Sequence, residues 1–217
     1  MKRIKVNTTW EEDEEEQLRF YASLSYGQRL RYLFKLRETT NSNKGTYPGA
    51  RYLRYIVRTM QFDIGDPFFV QFIAGLARHK VRYMLIGGMA VCFHGYIRNT
   101  QDMDIWLAPT NENRDLFYKV LIDVGYVEEE ISEYRNEDFA TFFKCSIGEM
   151  PNSIDCLTFV HPSISFDEAE KEMIKYDIGN ALFLNIVDYN FLRRMKILTH
   201  RAQDWADVVK LDQIYKK

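Results

Sequence analysis

The sequence predicts an α+β fold, a small mixed β-sheet flanked by helices, with more helix towards both ends of the chain. Three observations predict it. Short apolar runs near residues 81, 103, 140 and 154 have strand length. Longer stretches such as 67–76, 111–124 and 188–198 instead space their apolar residues as a helix does. On the second short run, Asp102 and Asp104 share one face while Met103 and Ile105 point to the other, so one face of the sheet is polar and helices cover the other.

The chain has 217 residues and 46% hydrophobic content, enough for one large domain or a core with a smaller appendage. A formal net charge of −2 gives no global basic field, so any contact with nucleic acid needs a local patch. Cys92, Cys145 and Cys156 are odd in number and lack metal-site spacing; Cys92 and Cys156 lie in apolar runs and read as buried free thiols. No run approaches membrane-spanning length, and Met1-Lys-Arg-Ile-Lys-Val6 lacks the apolar core of a signal peptide. A reducing cytoplasm is the expected compartment.

Residues 1–47 read as an N-terminal helical module, and residues 48–217 as the main domain with its C-terminal helices. The module opens with the acidic run Trp10 to Glu16, a solvated helix face or a contact for a basic partner. Ser25 and Gln28 fit a capping box ahead of Leu30, Leu33, Phe34 and Leu36. That apolar face needs a cover, either the main domain or another protein. The polar stretch Thr39–Pro48 is the linker candidate. Arg51, Arg54 and Arg58 would line one face of the next helix, as a solvated stripe or an RNA contact. Asp66-Pro67 opens a helix that buries Phe69, Phe72, Ile73 and Leu76.

Tyr83–Ile86 is a strand followed at once by Gly87-Gly88 and a helical segment, Met89–Tyr96. Asn111–Val124 is a helix closed by Gly125. Phe139–Ile147 and Ser153–Val160 read as strands, with a turn at Pro151-Asn152. Phe166–Tyr176 reads as an acidic amphipathic helix and Ala181–Val187 as a short strand. Helices from Asp188 and over Gln203–Ile214 complete the order.

The chemistry concentrates between residues 83 and 107. Two carboxylates held side by side repel, and an arrangement that keeps them together usually has a cation between them. The glycine pair lets backbone approach a ligand closely, and a side chain at Gly88 would intrude on that approach. Asp155, flanked by apolar neighbours in its strand, is costly there unless it is paired or bound to a cation, or the strand is an edge with Asp155 facing water.

In order, strand, Gly87-Gly88, helix, Arg98-x-Thr100-x-Asp102-x-Asp104 resembles the nucleotidyltransferase signature of the DNA polymerase beta superfamily. The likeness covers roughly Phe72 to Leu211. It is nearer to the small bacterial branch with antibiotic nucleotidyltransferases and abortive-infection type toxins. Many members carry a serine after the first glycine, where this chain has Gly88 followed by Met89.

The resemblance implies a catalytic and metal-binding set of Asp102, Asp104 and Asp155, with Mg2+ or Mn2+ as cofactor. It implies nucleotide binding by Gly87, Gly88, Arg98, Thr100 and Lys196. Lys196, Arg201, Asp204 and Asp207 match a further pattern of the family, and the last three also suit a role in fixing one helix against the next. Arg98 could meet phosphate or bridge to Asp102. The expected function is transfer of an NMP from an NTP to a hydroxyl on RNA, protein or a small molecule, with an additional protein partner for the N-terminal helices. The alternative is a catalytically silent binding or scaffold protein of the same fold within a toxin–antitoxin or defence system.

Overall fold

Residues 18–25, 27–29, 32, 67–100, 102–132, 135–148 and 153–215 are described in the computed structural model of the chain. The acidic run at 10–16, the linker at 39–48, the boundary at 47/48, the arginine stripe at 51, 54 and 58, Asp66, and the Pro151-Asn152 turn lie outside them.

Six strands form one mixed sheet: β1 (Tyr83–Ile86), β2 (Met103–Leu107), β3 (Lys144–Ile147), β4 (Ile154–Leu157), β5 (Ile174–Gly179) and β6 (Leu182–Ile186). Their order is β3-β4-β2-β1-β6-β5. β2 lies antiparallel to β1 and parallel to β4, and β1 is parallel to β6; the two outer pairs are antiparallel. The helices that frame the sheet are α1 (Pro67–Arg78), α2 (Gly87–Phe93), α3 (Asn111–Asp123), α4 (Glu128–Ile131), α5 (Phe166–Lys171), α6 (Tyr189–Thr199) and α7 (Ala202–Tyr215), and residues 18–23 and 27–29 are helical as well.

The register makes the two faces of the sheet chemically unlike. Leu85, Ile105, Cys156 and Ile186 share one face through successive strand partners, and all four are fully buried. On this account the central strands are tolerated only with apolar residues at every second position. α1 and α3 pack together through Phe72 and Phe117, whose rings meet edge-on at 6.4 Å. α3 begins at Thr110, whose hydroxyl accepts the Asn113 N–H as an N-cap. It ends at Val124 followed by Gly125 at φ +107°, as the sequence expects. The opposite face carries Asp104, Trp106 and Asp155. It too is partly roofed, because Trp106 packs edge-on against Phe166 of α5 with ring centroids 5.0 Å apart. Helical cover is therefore not confined to the face away from the acids.

Several segments differ from the sequence reading: the helix expected over Met89–Tyr96 runs instead from Gly87 to Phe93, and the short α4 is not expected. The helix expected over Phe166–Tyr176 stops at Lys171, and Ile174 begins β5, which returns through Asn180 and Ala181 into β6. Both turn residues have φ near +55° to +58°, the two-residue hairpin geometry that matches strand twist. The strand expected from Phe139 begins only at Lys144. Before it, Asp138 accepts the Ala140 N–H on its side chain and the Thr141 N–H on its carbonyl, forming a turn that tucks Phe139 and Phe143 into the core.

Near the N-terminus, the Ser25 N–H donates to Gln28 Oε1 and the Gln28 N–H to Ser25 Oγ, the expected capping box. The apolar face expected after it, Leu30, Leu33, Phe34 and Leu36, lies outside the described residues. Tyr21, Leu24 and Tyr32 form a small cluster with Ile97, in the loop leading to the acids. Buried Arg29 donates to the Phe93 carbonyl at 3.0 Å, where α2 ends and its last carbonyls need partners.

Candidate active site

Adjacent strands bring the three acids together. Asp104 of β2 and Asp155 of β4 are direct partners in the parallel ladder. Asp102 lies two residues before Asp104 and so projects from the same face. One carboxylate oxygen from each of the three lies within 4.8 Å of the others. Among the described residues, this is the group of acidic, His or Cys side chains with the spacing to hold a metal ion. All-carboxylate oxygen donors fit a hard divalent ion such as Mg2+ or Mn2+, and fit Zn2+ or copper poorly.

The three acids are not equivalent. Burial, and then the charges of Asp102 and Asp155, raise the Asp104 pKa from 3.8 to about 6, against an opposing bond from the Gly88 N–H. Asp102 accepts from the Thr100 hydroxyl at 3.2 Å. Asp155 has both oxygens engaged by the edge strand β3: Ser146 Oγ donates to Oδ1 at 2.6 Å, and Lys144 Nζ lies 2.9 Å from Oδ2. Burial opposes its charge, but the Ser146 and Lys144 bonds outweigh that and hold it below the usual carboxylate range. No local sequence pattern marks Ser146 or Lys144. Their role depends on the pairing of Ser146 with Asp155 across the ladder, which no local pattern reports.

The glycines are fixed by neighbouring protein groups. Gly87 has φ +64°, and a Cβ there would lie 1.8 Å from Asp104 Oδ2. A Cβ on buried Gly88 would lie 2.4 Å from Thr100 Oγ1 and 3.3 Å from an Arg98 nitrogen. The close approach that demands glycine at these positions is thus made by the site's own residues.

Arg98 bridges to Asp207, not to Asp102. Its Nε donates to Oδ1 at 2.7 Å and a terminal nitrogen to Oδ2 at 2.9 Å, while its other nitrogen donates to the Asn99 carbonyl. Asp207 is fully buried and is also paired with Lys196 Nζ at 2.8 Å. Lys196 is itself buried and reaches Asp204 at 2.5 Å. Arg98, Lys196, Asp204 and Asp207 therefore form one network tying the loop before the acids to α6 and α7. Arg201 is exposed at the start of α7.

His94 is structural. It is fully buried, with Nδ1 2.8 Å from the Tyr215 hydroxyl and Nε2 2.8 Å from the Val187 carbonyl. Because the carbonyl can only accept, Nε2 carries the proton and Nδ1 accepts from Tyr215. Burial lowers the His94 pKa below 6.5, the bond to Val187 opposing it only in part. The unfolded state then binds more protons than the folded one below pH 6.5, so His94 contributes a loss of stability as pH falls through that value. Denaturant titrations at pH 7.5 and 5.5 check this: His94→Gln is expected to be less stable than wild type at pH 7.5 and to show a shallower loss on acidification.

No family model matches the sequence, and no curated protein matches it. Among solved structures, the chain is similar to an antigenic nucleotidyltransferase-like protein from Paracoccidioides brasiliensis. The identity is 14% and the TM-score 0.34, over 68% of this chain and 75% of that one. A likeness at that level carries no argument about chemistry. Among the described residues no helix is long and apolar enough to cross a membrane.

Proposed function

We propose that this chain is a divalent-metal-dependent nucleotidyltransferase that moves an NMP from an NTP to a hydroxyl acceptor. The observation that supports it most is the convergence of Asp102, Asp104 and Asp155 within 4.8 Å, on the sheet face opposite the one that buries Leu85, Ile105, Cys156 and Ile186. Such a set costs stability through burial and then mutual repulsion, which together raise the pKa of Asp104, and a bound cation would offset that cost. A divalent ion there would supply Lewis-acid stabilisation of charge developing on the phosphoryl oxygens.

The chain's own groups have distinct tasks in this reading. Asp102 and Asp104 hold the cation from β2. Asp155, kept ionised by Ser146 and Lys144, would hold it from β4. Gly87, Gly88, Arg98, Thr100 and Lys196 would bind the nucleotide in this reading, and Arg98 and Lys196 would have to give up part of their pairing with Asp207 to meet a triphosphate. The acceptor is RNA, protein or a small molecule, and the toxin-like resemblance of the motif favours the first two.

The test supplies purified protein with each α-labelled NTP, Mg2+ or Mn2+, and RNA, lysate protein or an aminoglycoside panel. Label is expected in one acceptor class, and its transfer is expected to vanish in Asp102→Asn/Asp104→Asn. A folded sample that neither binds nucleotide nor transfers label would sink the reading.

A further inference from the structure

The three acids do not share one electrostatic setting, and the difference lies in a residue from a strand that contributes no acid. Lys144 sits on β3, the edge of the sheet, directly opposite Leu157 and on the same face as Asp155. Its ammonium lies 2.9 Å from Asp155 Oδ2, and its charge also feels Asp104 and Asp102. The side chain remains 52% exposed, so it can swing into water without opening the core. No comparable cation pairs with Asp102 or Asp104 among the described ion pairs.

We propose that Lys144 is a built-in counter-ion that occupies the cation's electrostatic place at Asp155 and must move aside when a divalent ion enters. This rests on the metal-binding reading of the triad. One carboxylate oxygen cannot give its full negative charge both to an ammonium at contact distance and to a divalent ion. The ammonium is also a positive charge that repels the incoming ion. Ser146 differs, since a hydroxyl donor steadies Asp155 Oδ1 without opposing a cation. Lys144 therefore keeps the cluster partly neutralised in the metal-free protein at the expense of metal affinity.

The test measures Mn2+ binding by the EPR signal of free Mn2+ at low ionic strength, with wild type, Lys144→Met, Lys144→Arg and Asp104→Asn. Lys144→Met is expected to bind Mn2+ about fivefold more tightly, the scale of one half-exposed ion pair, while Lys144→Arg stays near wild type. In protein carrying 13C-methylated lysines, the resonance missing from Lys144→Met is expected to shift towards a solvated lysine when Mg2+ is added. Unchanged affinity in Lys144→Met would overturn the proposal, making Lys144 a solvated surface pair. Weaker affinity would overturn it too, because Lys144 would then be holding Asp155 in position for the metal. If wild type and every variant lack Mn2+ binding, the metal reading of the triad fails along with it, a result distinct from the other two.

Discussion

Gly87→Ala is expected to remove the candidate cation site and to destabilise the fold by on the order of 3 kcal/mol. Two effects add at this position. The residue has φ +64°, a left-handed conformation that costs an L-residue with a Cβ about 1 kcal/mol. The new methyl would also lie 1.8 Å from Asp104 Oδ2 and 2.5 Å from its Cγ, so the carboxylate has to leave. Asp104 cannot retreat far, because its strand is paired on both sides, to β1 and to β4. Gly125→Ala separates the two effects. It has φ +107° but nothing within 4 Å of the added methyl, so only the conformational penalty applies there. Denaturant unfolding of both variants, with Mn2+ binding measured alongside, checks the prediction. Equal destabilisation of the two, or unaltered Mn2+ binding in Gly87→Ala, would contradict it.

Asp104→Asn is expected to lower nucleotidyl transfer on the order of a thousandfold while making the metal-free protein more stable. The pKa of about 6 means that ionising this buried carboxyl costs folding free energy above the unfolded value of 3.8. The sign follows directly. The cost is absent below pH 3.8, grows between pH 3.8 and 6, and is fully present above 6. An amide removes the charge and keeps an oxygen that can accept from the Gly88 N–H. The gain is up to about 3 kcal/mol at pH 8 and close to nothing at pH 4. Mg2+ should raise the melting temperature of wild type and leave that of Asp104→Asn nearly unchanged. Wild-type metal affinity should fall as pH drops below about 6, where Asp104 takes up a proton. A variant less stable than wild type at pH 8 would show that Asp104 is held by contacts worth more than its repulsion.

The parts of this protein legible in its sequence are those set by neighbours along the chain. Tyr83–Ile86 is apolar at every position because β1 is central and buried on both faces, and that run stands out. Thr100, Asp102 and Asp104 are near enough in sequence to be read as a unit. Asp155 stands out as a chemical misfit among apolar neighbours, but that misfit leaves open whether it is paired, cation-bound or facing water, and its place beside Asp104 follows from the pairing of β4 with β2. β5 is hidden in the sequence because Asp167, Glu168 and Glu170 give the stretch before it a helical polar face. The alternation of Ile174, Tyr176 and Ile178 ahead of Gly179-Asn180 was the strand signal. Lys144 and Ser146 were illegible for another reason. They matter only through the register of β3 on β4, and sequence does not state register between strands joined by a loop. The pairing of Arg98 with Asp207 likewise spans 109 residues.

That span bears on how the protein is made. A ribosome that has just completed the motif at residues 83–107 has produced two of the three acids but none of α6 or α7. Asp155 follows within the next half-hundred residues, so the whole acidic cluster leaves the exit tunnel well ahead of Asp207. Until α7 is translated, Arg98 lacks the carboxylate that seats it. Lys196, made earlier than either Asp204 or Asp207, waits for both. The nascent chain thus holds its acids before the carboxylates that position Arg98 and Lys196, and the network that ties the loop before the acids to α6 and α7 is assembled late in synthesis.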